Sequence, residues 1–229
     1  MNRNRQTKIT MLMVMAVSLT LISVPVNSAR LNNPGSINSA RDRGLKMPSV
    51  RRYHIDAGQS TFMVHAFVGG LLSAFGHNHN IAIKDISGET EYTDGTLTPA
   101  SLHMRVVANS LTVTDKVSES DRQSIEKTMR EQVLETGKHA DITFNSTKVE
   151  ATRNSDTQFQ AKIWGDLTLH GVTHNIPINA QLTFDNKSVR ARGEFSLKMS
   201  DYSIKPPSVG GGTVTVKDTL KFNFNILSQ

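Results

Sequence analysis

A chain of 229 residues with no cysteine must hold its fold without disulfides, and at about 175 folded residues it can bury enough surface to do so. Its formal net charge of +6 does not make it a nucleic-acid binder. Nine of the 26 basic residues and one of the 20 acidic ones precede Tyr53, leaving 17 basic and 19 acidic residues after it, so the folded part is near neutral and shows no clustered basic face.

The first residues read as an export address. Arg3, Arg5 and Lys8 form a basic start, Ile9 to Val24 is uncharged and apolar, and Val26-Asn27-Ser28-Ala29 offers small residues for cleavage. That is the layout of a secretory signal peptide over residues 1–28, and the apolar run is short for a membrane span. Residues 29–52 are rich in Asn, Ser, Pro, Gly and Arg without periodicity, which predicts a disordered basic leader. Its charge would also attract it to anionic lipid headgroups, a peripheral membrane contact.

Order is expected from Tyr53. Tyr53-His54-Ile55-Asp56 predicts a short strand before the Ala57-Gly58 turn. Ser60 to Phe67 alternates, with Phe62, Val64 and Ala66 on one side and Thr61, Met63 and His65 on the other. Gly69-Gly70 breaks this strand, and Leu71, Leu72 and Phe75 predict a helical turn or hydrophobic loop. A strand follows around Phe75 to Ile83, another at Gly88 to Tyr92 closed by Thr93-Asp94-Gly95, and a third at Ser101 to Ala108, with Leu102, Met104 and Val106 on one face.

One helix is predicted, over about residues 121–136. Ser120 can cap it with Gln123 reaching back, and Gly137 can end it. Ile125, Met129 and Val133 form a narrow apolar stripe, and Glu126 with Arg130 has the spacing of an exposed ion pair worth a few tenths of a kcal/mol. The helix is expected to lie on the outside of the fold with one edge buried.

Strands then run on without interruption. Asp141 to Val149 contains Ile142 and Phe144. Phe159 to Phe184 holds two alternating runs around Leu169-His170-Gly171-Val172, the pattern of a β-hairpin. Val189 to Met199 puts Phe195, Leu197 and Met199 on one face, and Val214 to Ile226 does the same for Val216, Asp218, Leu220, Phe222 and Phe224. Long antiparallel strands that hide one face without a second sheet close into a barrel. The expected fold is therefore all-β, an extended antiparallel barrel of about eight strands with one surface helix; a sandwich is the alternative.

At about eight strands a barrel interior is either filled by side chains or holds one small ligand. The inward faces offer Phe62, Val64, Leu102, Met104, Phe144, Ile163, Leu167, Ile176, Ile178, Phe195, Leu197 and Phe222 as candidate ligand contacts. Two polar residues interrupt these faces, His174 and Asp218. Each either ties a neighbouring loop or meets a polar headgroup, because a buried carboxylate without partners is costly. His77 and His79 are the candidate metal ligands: two imidazoles two residues apart on a strand point the same way. Otherwise they are rim histidines bonded to backbone. No Gly-x-Ser-x-Gly elbow, P-loop, Gly-x-Gly-x-x-Gly or His-Glu-x-x-His occurs, so no catalytic constellation is expected.

Five stretches together resemble the YceI-like family of lipocalin-like barrels, also described as polyisoprenoid-binding proteins. They are Tyr53-x-Ile55-Asp56 with Ser60, Ile142-Thr143-Phe144-x-Ser146, Gly165 to Thr173, Ser200-Asp201-Tyr202-x-Ile204 and Val216-x-Asp218. The likeness covers about Tyr53 to Leu227, essentially the whole expected barrel domain of residues 53–229, and the Ala74 to His79 segment marks a different branch from members with a His-Leu-Gly segment there. The resemblance implies a periplasmic protein that binds a long isoprenoid chain, such as a quinone tail or polyprenyl phosphate, in an apolar barrel. The alternative is a metal- or haem-linked periplasmic redox protein using His77 and His79 at the rim.

Overall fold

The computed structural model describes residues 49–71, 73–93, 97 and 100–229. The signal peptide, all but the last residues of the leader, and the Asp94-Gly95 turn expected from the sequence lie outside them. Among the described residues the strands are β1 (Val50–His54), β2 (Thr61–Ala66), β3 (Val68–Gly69), β4 (His79–Ile83), β5 (Ile86–Thr93), β6 (Ala100–Val107) and β7 (Leu111–Val113). After helix α1 (Glu119–Thr128) come β8 (Asp141–Arg153), β9 (Gln158–Leu169), β10 (Val172–Phe184), β11 (Val189–Lys198), β12 (Ser208–Val209), β13 (Val214–Val216) and β14 (Thr219–Ser228).

Eleven strands form one antiparallel sheet in the order β1-β5-β6-β8-β9-β10-β11-β14-β2-β4-β7. The first eight of these curl into a ring. It closes where the end of β1 returns to the end of β14: Ile55 bridges Ser228, and His54 and Gln229 exchange two backbone hydrogen bonds of 3.0 and 2.9 Å. β12, β13 and β3 make a small second sheet. The all-β class and the antiparallel pairing agree with the sequence expectation; the strand count does not, since the main sheet has eleven strands where about eight were expected.

The β9–β10 hairpin keeps the register that its alternation demands, with Leu169 opposite Val172 and Phe159 opposite Leu182. Its two turn residues, His170 and Gly171, take φ of +52° and +75°. Two positive φ values in a two-residue turn match the twist of the flanking strands. Gly165 serves a different need. Phe144, only 1% exposed, lies across it from β8, and a Cβ at Gly165 would come within 2.3 Å of the ring.

The helix departs from the expected boundaries. Ser118, not Ser120, is the N-cap, its Oγ accepting from Asp121 N at 3.1 Å. α1 stops at Thr128 and gives way to one π-turn, Met129–Val133, closed by a bond from Leu134 N to Met129 O at 2.8 Å. The chain then reverses at Glu135, with φ of +44°, rather than at Gly137.

Glu126 and Arg130 are the second correction. They are not an exposed pair: Glu126 is 9% exposed, and both side chains serve the edge strand β7. Glu126 Oε1 accepts from Val113 N at 3.0 Å, Arg122 Nη1 donates to Val113 O at 2.8 Å, and Arg130 Nη2 donates to Leu111 O at 3.3 Å. An uncovered edge strand presents unpaired backbone groups that invite pairing with other chains. Here a helix supplies the partners with its side chains.

Candidate ligand cavity

The ring is not filled to its ends. Its main core gathers Ile86, Val106, Leu111, Met129, Leu134, Phe144, Leu167 and Leu169 at one end, with Met199, Tyr202 and Ile204 sealing it from the turn after β11. A second cluster of Tyr53, Tyr92, Leu97 and Val189, packed with Phe159, Leu182 and Phe184, occupies the other end. Between them four phenylalanines lie against one another. Phe195 and Phe222 stack with centroids 4.7 Å apart, and Phe62 meets Phe195, Phe222 and Phe224 edge-on at 6.0 to 6.3 Å.

A cavity of about 210 Å³ remains inside. On β10 its lining runs from Ile176 to Phe184, eight residue steps or about 26 Å at ~3.3 Å per step. It is therefore long and narrow, as long strands around a small ring require. Twelve of the sequence candidates line it: Phe62, Val64, Leu102, Met104, Phe144, Ile163, Leu167, Ile176, Ile178, Phe195, Leu197 and Phe222.

Its polar lining is confined to one end. Thr90, Glu91, Tyr92 and Ser101 lie on β5 and β6, and Ser228 ends β14. The Thr90 hydroxyl and that of its cross-strand neighbour Tyr53 are buried without a hydrogen-bond partner. Buried polar groups are rarely left so, and an orphan asks for a ligand or water. Glu91 is paired with Arg52 on β1. A shallow hollow lined by Val50, Glu91, Tyr92, Thr93, Ala100 and Ser101 shares four residues with the cavity at this end. Leu97, buried and with φ of +54°, reaches into the cavity from the β5–β6 connection.

His174 and Asp218 do not face the cavity, and the expectation that they meet a headgroup is corrected. Both sit at the opposite, sealed end. His174 is exposed, its Nε2 donates to Asp201 O at 2.9 Å, and its ring packs edge-on against Tyr202. Asp218 accepts from Ser200 N at 2.8 Å and from Ser200 Oγ at 2.6 Å. Those bonds from Ser200 hold its carboxyl below the ordinary carboxylate value. The right strand parity was not enough: both residues lie beyond the last turn of the enclosed space and tie the Ser200–Tyr202 turn. Burial raises the Tyr202 phenol pKa there, and Asp201 adds to it.

His77 and His79 are likewise not brought together with a third metal ligand among the described residues. β4 begins only at His79, so the strand geometry that would align the two rings does not extend to His77. His79 Nδ1 is 2.9 Å from Asp115 Oδ2, which also accepts from Asn80. Burial pushes the Asp115 carboxyl up, but the hydrogen bonds from His79 and Asn80 outweigh it and hold it below its usual value.

Sequence reasoning missed the polar end and part of the seal. Thr90 and Tyr92 lie within the strand expected at Gly88 to Tyr92 and share one face of it, but that face was not assigned to the interior. Val133 and Leu134 both line the cavity although they are consecutive. The π-turn widens the helix there, which a 3.6-residue period does not anticipate.

With this geometry in view, residues 53–227 match the model of the YceI-like domain. The chain belongs to the YceI-like family. Among its relatives is a UPF0312 protein of Pseudomonas fluorescens, 31% identical over 125 residues, which are 54% of this chain and 60% of that protein. Another is a UPF0312 protein of Shewanella baltica, 30% identical over 148 residues covering 62% of this chain and 72% of the relative. This YceI-like chain thus spans well under the full length of the Pseudomonas protein. Among solved structures its fold is similar to BcnA of Burkholderia cenocepacia, with a TM-score of 0.59 at 13% identity, covering 76% of this chain and 99% of that one. It is also similar to a polyisoprenoid binding domain from Saccharophagus degradans, with a TM-score of 0.55 at 13% identity, covering 77% and 97%. Likeness at that identity speaks for the fold.

Proposed function

We propose that this YceI-like protein is a periplasmic carrier that sequesters an amphiphilic lipid with a long isoprenoid-like tail, of quinone or polyprenyl type. The observation that carries this is the cavity's asymmetry: apolar walls along about 26 Å of strand, with the buried, unpartnered Thr90 hydroxyl and the buried Ser228 together at one end. A ligand site is mostly apolar with a few placed polar groups. The tail lies along the strands toward the Leu134 and Leu169 seal, and the head sits at the polar end, where it would satisfy the Thr90 hydroxyl. The polyisoprenoid binding domain of S. degradans, on a similar fold, agrees in ligand class. The signal-peptide pattern of residues 1–28 supports export, the family likeness points to the periplasm, and cell fractionation tests both.

The binding test is a titration of the protein with a polyprenyl phosphate and with a long-tailed quinone, beside the Ala180→Trp variant. Ala180 is 2% exposed and lines the cavity at mid-length. The wild type is expected to bind one or both, and the variant to bind at least about tenfold more weakly with unchanged circular dichroism. No binding to either lipid, or equal binding by a folded variant, contradicts the proposal.

A further inference from the structure

Away from the cavity, on the outer side of its sealed end, three side chains converge that the carrier reading does not use. Glu135 follows Leu134 at the end of the π-turn, and His170 follows Leu169 at the end of β9. Each is the first residue past a cavity-lining one. Both take the left-handed backbone conformation, with φ of +44° and +52°. Neither is glycine. They face each other, with His170 Nε2 and Glu135 Oε2 3.0 Å apart. His139 completes the group. Its ring lies 4.5 Å from that of His170, centroid to centroid, and covers Gly171, where a Cβ would come within 2.8 Å of it. The ligand atoms of all three residues lie within 4.8 Å of one another, and all three residues are half-buried.

The hydrogen bonding around His170 is what sets this group apart. Its Nδ1 lies 3.3 Å from the Tyr202 carbonyl oxygen. Its Nε2 faces the Glu135 carboxylate. A carbonyl and a carboxylate both accept only, while a neutral imidazole has one donor and one lone pair. Whichever nitrogen of a neutral ring carries the hydrogen, the lone pair of the other faces an acceptor; a metal ion at Nε2, with Nδ1–H given to the carbonyl, removes that conflict. A backbone carbonyl holding the far ring nitrogen is the usual support of a metal-bound histidine.

We infer that Glu135, His139 and His170 form a binding site for a divalent transition-metal ion of the zinc type. Two imidazole nitrogens and one carboxylate oxygen are a known three-ligand set for zinc, with a fourth position for water. Four-coordinate zinc at ~2.0–2.1 Å needs ligand atoms about 3.4 Å apart. The Glu135 and His139 side chains reach this by rotation, Lys138 releasing Glu135 from its exposed side. The ion joins the end of the helical segment to the β9–β10 turn and so fastens the seal of the cavity from outside.

The test is a zinc titration of tag-free, chelator-stripped protein by calorimetry, with cobalt absorption as a reporter of geometry. His139→Ala and Glu135→Gln are the informative variants, since His170 also shapes the turn, and the double variant H77A/H79A is the control. The wild type is expected to bind one Zn²⁺ per chain and to melt at a higher temperature with it. His139→Ala and Glu135→Gln, folded and melting like wild type without metal, should bind at least about tenfold more weakly, and H77A/H79A should bind as wild type does. No stoichiometric zinc on the wild type overturns the inference. Undiminished binding by the folded His139→Ala and Glu135→Gln proteins, or loss in H77A/H79A, overturns it as well.

Discussion

Glu126 and Val113 are joined by a hydrogen bond in which a helix side chain stands in for a missing strand. Val113, fully buried on the edge strand β7, donates its N–H to Glu126 Oε1 at 3.0 Å. Arg130 Nη2 reaches Glu126 Oε2 at 3.0 Å and so holds the carboxylate in place. Glu126→Ala removes the acceptor and leaves a buried N–H and part of a guanidinium unpaired. The expected cost is about 1–3 kcal/mol, read from urea unfolding, together with a greater tendency to associate as the edge opens. An unchanged midpoint would mean that water replaces the bond without loss.

Gly165 and Phe144 make the second prediction. A methyl at Gly165 would meet the Phe144 ring at 2.3 to 2.7 Å, and Phe144 has no free space to retreat into at 1% exposure. Gly165→Ala should destabilise by about 1–3 kcal/mol as an overpacked core. The double variant with Phe144→Leu should recover part of that loss, because the clashing ring is gone. Simple additivity of the two losses would contradict a direct contact.

Acid sensitivity follows from Asp218. Its folded pKa is depressed by the bonds from Ser200. A carboxyl with a lowered folded pKa stabilises the fold above its unfolded value and loses that contribution as pH falls through the folded value. The urea midpoint of Asp218→Asn should therefore lie below that of wild type at neutral pH. The gap should narrow as pH falls below the ordinary carboxylate value and through the lower folded one. A gap that stays constant with pH would mean that the hydrogen-bond geometry, not the charge, matters at the Ser200 turn.

Much of the barrel was legible in the sequence because alternation is a local signal. Phe159 to Phe184 spells out both faces of its hairpin, and the twelve apolar candidates were placed inward by the same parity. What parity does not encode is depth along the barrel. His174 has the parity of cavity residues yet lies past the sealed end, Asp218 sits in the bend between β13 and β14, and Thr90, on a strand whose inward face was not assigned, marks the polar end. Glu126 looked exposed because helix spacing says nothing of an edge strand packed beside it. Glu135 and His170 meet across 35 positions of sequence, through a π-turn and two left-handed residues, and no local pattern announces that.

The central claim is tested most directly by native mass spectrometry of the protein purified gently from the cell envelope, with organic extraction of the same sample. A stoichiometric amphiphile bearing an isoprenoid tail, retained by wild type and missing from Ala180→Trp, is the predicted result. A wild-type chain that carries no lipid and takes up none when offered polyprenyl phosphate or quinone would contradict it.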